Sequence, residues 1–244
     1  MGPPPGYVAY GSPGAVGGQV QRTRTLAKWL VALLAISLAV QAISLLLQLT
    51  LQSAAQDLLD NTINSGEFDD KIALFAVVGL LVAAVGIGQL VVLIVWTYRL
   101  VKNHQAIGRQ PLTFKPGATI AVNILGGCTL GILNFFMWRE IWQASDPEAT
   151  THSGWKQGPI SALLYVYLAA TLLSVATSFA IGFSGSVSFG TTTSVDNEEL
   201  AERLSDQLAI VLLSGGLALV AAGAFLMFVR QLSARHMQAI HETA

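Results

Sequence analysis

The sequence predicts an all-α integral membrane protein with four transmembrane helices and a cytoplasm-facing re-entrant or interfacial segment; five spans is the alternative. Three observations predict it. Of the 244 residues, 53% are hydrophobic and 11% charged, against about 25% charged in a soluble domain. The charges are clustered, leaving four runs of 22 to 27 residues without Lys, Arg, Asp or Glu: Trp29–Leu51, Ile72–Tyr98, Ile160–Phe183 and Leu208–Val229. About 20 apolar residues in a helix cover a hydrocarbon core of about 30 Å, and a backbone in lipid must satisfy its own hydrogen bonds. Finally, Lys and Arg are retained on the cytoplasmic side, and their distribution selects four spans over five.

The N-terminal tail, residues 1–25, is expected to be disordered and cytoplasmic. Its first 21 residues hold four of the eight prolines, six glycines and no charge, a composition that cannot bury a core. "PPGY" at 4–7 fits the Pro-Pro-x-Tyr pattern that aromatic grooves bind, which makes protein partners of the tail an expectation, although a plain flexible tail explains the same residues. Gly6 stands where a myristoylation signal needs Ser or Thr. The membrane domain is expected over 26–235, with spans at about 29–52, 72–98, 159–184 and 207–230. Its first run exceeds a signal-peptide core and lacks a small-residue cleavage site, so it reads as a retained span. A short cytoplasmic tail, 236–244, follows.

The second helix is expected to continue past the bilayer to about Ile107, with Gly108 as its stop and Pro111 beyond. The segment 117–145 decides the topology. If its apolar part, 117–138, does not cross, eleven of the thirteen Lys and Arg share one side, and Lys71 and Arg203 face the other. If it crosses, the split is eight to five. Without a crossing, all five tryptophans fall at the cytoplasmic interface, where an indole is half in lipid and half wet. Gly126-Gly127 then supplies the backbone freedom of the reversal, and "FFMWREIWQASDP" reads as a helix lying in the interface, ended at Asp146-Pro147. An ordinary fifth span, with Gly127 and Gly131 admitting a neighbouring helix, is the other possibility. Asp196 with Glu199 forms a capping pattern that starts the last helix.

"VWTYRLVKNHQAIG", "LTFKPGATIAV" and "FFMWREIWQASDP" resemble a family of bacterial membrane proteins catalogued as domain of unknown function 4328, common in actinobacteria. The matching residues are Trp96, Arg99, Asn103, Pro116, Gly117, Arg139, Glu140, Trp142, Ala144, Ser145, Asp146 and Pro147. The middle segment reads "AVNILGGCTLGILN" where the family usually carries a Trp-rich stretch with Pro-x-x-Asn. The resemblance implies a multi-pass protein of a bacterial cell membrane and no particular chemistry, while the Lys and Arg distribution puts both termini in the cytoplasm.

Trp96, Arg99 and Asn103 share one helical face, which suits either a head-group or partner site or a structural clamp in which Arg99 pairs with Glu140. No acidic or basic residue lies deep in a span, which disfavours ion-coupled transport. The four histidines lie outside the spans, and no HExxH, GxSxG or Walker pattern occurs. No metal and no cofactor is expected. Cys128 is the single cysteine, so no internal disulfide forms, and a net charge of −1 gives no argument for nucleic acid. Ala170, Ser174, Ser178 and Gly182, like Ser214, Ala218 and Ala222, recur every fourth residue as close-packing faces. The expected function is a non-enzymatic membrane interaction or scaffold module that contacts lipids, protein partners or a second copy of itself. A passive pore built on Gly126 and Gly127 is the alternative. Candidate interaction residues are therefore Trp96, Arg99, Asn103, Gly126, Gly127, Arg139, Glu140, Trp142, Asp146 and Pro147.

Overall fold

A computed structural model describes residues 19–149, 154–186, 197–206 and 208–242. These residues form α1 (Arg24–Leu59), α2 (Ser65–Ala106), α3 (Pro116–Ile124), α4 (Ile132–Ala144), α5 (Ala162–Ser186), α6 (Asn197–Asp206) and α7 (Leu208–Ala239), with a 3-10 turn at Gly154–Gln157. No strand occurs among them. Helices α1, α2, α5 and α7 are long and apolar enough to cross a membrane. Their apolar stretches expose large aliphatic side chains, Leu80 at 72% and Ile87 at 66% among them, as helices facing lipid do. Residues 1–18 of the expected disordered tail and the cap at Asp196 lie outside the described residues, whereas 19–25, expected in the same tail, are described, and α1 begins within them at Arg24. The last helix, expected to be continuous, is seen as α6 and α7 on either side of Gln207, which is also outside them.

Local chemistry sets the helix ends. Asn64 Oδ1 accepts the Glu67 N–H at 2.9 Å, an N-terminal cap for α2 with an acidic residue in the first turn. At the far end Gly108 adopts φ 78°, the left-handed residue the sequence predicts as the stop. Pro116 opens α3, where its missing N–H costs nothing.

The described residues divide into two compact units. The first holds residues up to Leu34, Gly88–Leu168 and those from Ala224 onward. Its core joins Leu30, Trp96, Leu100, Met137, Trp138, Ile141, Phe228 and Leu232. The second holds Ala35–Ile87 and Ala169–Gly223, with a smaller core around Leu51, Ala55, Leu58, Phe68 and Ala201. In the second unit α5 and α7 meet as their small residues predict: Ser174 Oγ donates to the Ser214 carbonyl at 3.1 Å. A Cβ on Gly215 would lie 2.6 Å from Leu45 Cδ1, so α7 approaches α1 closely there.

Two expectations for the middle segment are corrected. The reversal does not turn on Gly126-Gly127: the left-handed residues are Leu130 (φ 51°) and Gly131 (φ 76°), because 125–129 continue as helical turns and the chain turns back only after them. Gly126 matters for space, since a Cβ would lie 2.8 Å from Asn134 Oδ1, whereas one on Gly127 meets nothing within 4 Å. The aromatic face of α4 does not lie in a lipid interface. Phe135 and Trp138 are buried in the first unit's core, and Ile132, Leu133 and Phe136 form the exposed side. Of the tryptophans, Trp96, Trp138 and Trp155 are buried in protein, while Trp29 is 63% exposed.

Candidate functional site: a buried polar cluster

Helical periodicity carries Trp96, Asn103 and His104 inward on the last turns of α2, and all three are fully buried. Trp96 packs on Trp138 with ring centroids 6.0 Å apart, and its Nε1 has no partner among the described residues. The next turn brings polar groups together. His104 Nε2 lies 3.0 Å from Ser145 Oγ, Ser145 Oγ lies 3.3 Å from His236 Nδ1, and the two ring nitrogens are 3.2 Å apart. Asn103 Nδ2 closes the cluster at 3.2 Å from His236 Nε2.

Both histidines lie beyond the charge-free runs, past Tyr98 on α2 and past Val229 on α7. Burial pushes His104 well below the ordinary imidazole range, and His236 and Arg109 nearby push it further. Burial takes His236 down to about 3. Both rings are therefore neutral at pH 7.

One ion pair and several backbone contacts adjoin the histidines in sequence. Asp146 pairs with Arg235 at 2.9 Å and accepts the Glu148 N–H at 3.1 Å. Arg109 donates to the carbonyls of Ala149 at 2.6 Å and Asp146 at 2.8 Å; burial lowers its pKa, and Asp146 offsets part of that. The Arg235 guanidinium sits 5.0 Å over the Trp142 ring, and Trp142 Nε1 donates to the Pro159 carbonyl at 3.0 Å. Gln143 holds the Gly158 carbonyl at 2.8 Å.

The expected Arg99–Glu140 pair does not form. Arg99 Nη1 donates to the Arg22 carbonyl at 3.2 Å, and the Glu140 carboxylate accepts the Thr113 and Phe114 N–H groups at 2.6 and 2.9 Å. The loop between α2 and α3 presents two N–H groups to one carboxylate, and that chelation competes successfully with a single exposed guanidinium. Of the other sequence candidates, Arg139 is half-buried on α4 and Pro147 is exposed, both outside the cluster; Gly126 and Gly127 belong to the α3–α4 turn.

The entry to α1 is held from two directions. Gln21 pairs its backbone with the Asn103 side chain, its N–H donating to Oδ1 at 2.7 Å and its carbonyl accepting from Nδ2 at 2.8 Å. Glu242 accepts the Thr23 and Arg24 N–H groups at 3.3 and 3.4 Å, and the Thr23 hydroxyl at 3.2 Å. A carboxylate from beyond α7 thus caps the first helix of the chain.

His104, Ser145, His236, Gln21, Arg109, Arg235 and Glu242 carry no motif spacing that marks them as partners. The arrangement fixes geometry, and it does not assemble a nucleophile with an open approach: Ser145 is fully buried. No group of three or more His, Cys, Asp or Glu suited to a metal ion occurs among the described residues.

Comparison with curated proteins and with solved structures finds no match. Residues 59–234 match the family model described as "Domain of unknown function (DUF4328)". That span takes in α2 to α5, α6 and most of α7, and with them Asn103, His104 and Ser145 of the cluster. This chain belongs to that family.

Proposed function

We propose that the chain is a non-enzymatic interaction module of the cell membrane. In this reading four helices cross, both termini are cytoplasmic, and 117–145 enters and leaves by one face. The carrying observation is the 3.0 Å contact between His104 and Ser145, supported by the Arg109–Asp146 bond. These residues flank the middle segment, and a crossing between them would hold them about 30 Å apart. Helices α3 and α4, of 9 and 13 residues, reach about 14 and 20 Å and are each too short to cross. Thr23 and Glu242 touch as well, as an even number of crossings requires. Apart from Trp96 Nε1 and His104 Nδ1, the polar groups of the cluster bind one another or the chain's own backbone, which favours scaffolding over catalysis. Lipids contact the exposed aliphatic faces, and protein partners engage the N-terminal tail.

A second reading, a passive pore, draws on two atoms. Asn123 Oδ1 and Asn134 Oδ1, on α3 and α4, are buried without a partner among the described residues, and pore linings use such acceptors. Two measurements test the proposal. Cysteines introduced at Lys102 and Glu148, with Cys128 replaced, should react with an impermeant reagent from the same side of sealed vesicles. Reaction from opposite sides overturns the four-span arrangement. Purified protein in liposomes should pass no small solute, and flux that Asn134→Ala abolishes transfers the conclusion to the pore.

A further inference from the structure

The hydrogen positions in the polar cluster follow from the backbone of one residue. Backbone N–H can only donate and backbone C=O can only accept, so Gln21 fixes which end of the Asn103 amide is oxygen and which is nitrogen. The second Nδ2 hydrogen then faces His236 Nε2 at 3.2 Å, and that nitrogen must present a lone pair. Neutral His236 accordingly carries its proton on Nδ1, which faces Ser145 Oγ and His104 Nε2. The Ser145 hydroxyl donates to His104 Nε2, leaving the His104 proton on Nδ1, a buried atom without a partner.

A proton added to His236 has one place to go. It occupies Nε2, and an N–H then points at the Asn103 NH2, donor against donor. Turning the amide over satisfies His236 but presents nitrogen to the Gln21 N–H and oxygen to the Gln21 carbonyl, which breaks both bonds. A charged His236 and a held Gln21 are incompatible. A proton on His104 is different, because Ser145 Oγ can turn to accept from it while Asn103 stays in place.

We propose that Asn103 and His236 form a proton-gated latch on Gln21, the residue that fastens the N-terminal tail ahead of α1: neutral His236 holds it, and protonated His236 releases it. The surrounding charges sharpen the gate. From the loop after α2, Arg109 faces the histidine pair; Asp146, past α4, is paired with Arg235 of α7; Arg99 and Glu242 hold Arg22, Thr23 and Arg24. No carboxylate touches either imidazole among these contacts, so the closed state offers a proton no counter-charge. The low proton affinity of closed His236 agrees with this. An opened His236 regains an ordinary imidazole, so acid favours opening.

The test places a spin label on Gln19→Cys in the full chain, with Cys128→Ser, in liposomes. At pH 8 the label should be immobilised. Below about pH 6.5 the mobile-to-immobile ratio should rise by about tenfold per pH unit, the signature of one proton. Asn103→Ala should be mobile at every pH. His236→Gln, whose side-chain oxygen still accepts from Asn103 but does not titrate, should stay immobilised down to pH 5. Glu242→Gln should keep the transition, which separates imidazole from carboxylate. A wild-type label insensitive to pH between 8 and 5 overturns the proposal, and so does an unchanged transition in His236→Gln.

Discussion

Two buried imidazoles and one carboxylate carry most of what individual residues determine in this protein. His104 and His236 are neutral in the folded chain with Gln21 held, and each gains a proton on unfolding from that state below pH 6.5. Folded affinities lie below the unfolded value, so their stabilisation is complete above pH 6.5 and declines as pH falls below it, for His236 until about 3. The slope is about 1.4 kcal/mol per pH unit for each histidine. Thermal unfolding in detergent at pH 8, 6.5 and 5 should therefore show a midpoint that is flat and then falls, with a shallower fall in His236→Gln. Glu140 gives a second expectation. Glu140→Ala strands two backbone N–H groups and should cost about 1–3 kcal/mol. The exchanged pair Arg99→Glu with Glu140→Arg should be no better than Glu140→Arg alone, because no bond joins these residues. The sequence puts Arg99 and Glu140 among the important positions and misassigns their partners. It cannot place backbone N–H groups, and both side chains bind backbone.

Secondary structure was the most legible level, and its misreadings cluster in one place. The end of α2 at Gly108 and the start of α3 at Pro116 follow from single residues with strong conformational preferences. The α3–α4 turn does not, because a Gly-Gly pair advertises freedom that the chain uses elsewhere. Gly131 in the left-handed region should not tolerate Ala, at about 1–2 kcal/mol, whereas Gly127→Ala should be nearly neutral. Comparing the two melting midpoints checks this, and equal losses would return the turn to the Gly-Gly pair. The α4 aromatics were legible as one face but not as to what that face meets. Periodicity reports a stripe, and lipid and protein core both accept Phe and Trp.

On the scale of the whole chain, charge distribution was the most informative signal. Long charge-free runs correspond to the four helices with membrane-spanning length. The division into two compact units was invisible in the sequence, since each unit draws on parts of the same four long helices. The polar cluster was hidden for a related reason: Asn103 and Ser145 stood in the quoted stretches, but its bonds link residues 41, 82 and 132 positions apart, and no local pattern joins them.

The cap on α1 has a consequence for the order in which the protein is made. The carboxylate that completes this helix is translated more than 200 residues after the N–H groups it accepts. Until Glu242 has left the ribosome, the first helix has open donors at its start, and any chain cut short of that residue keeps them.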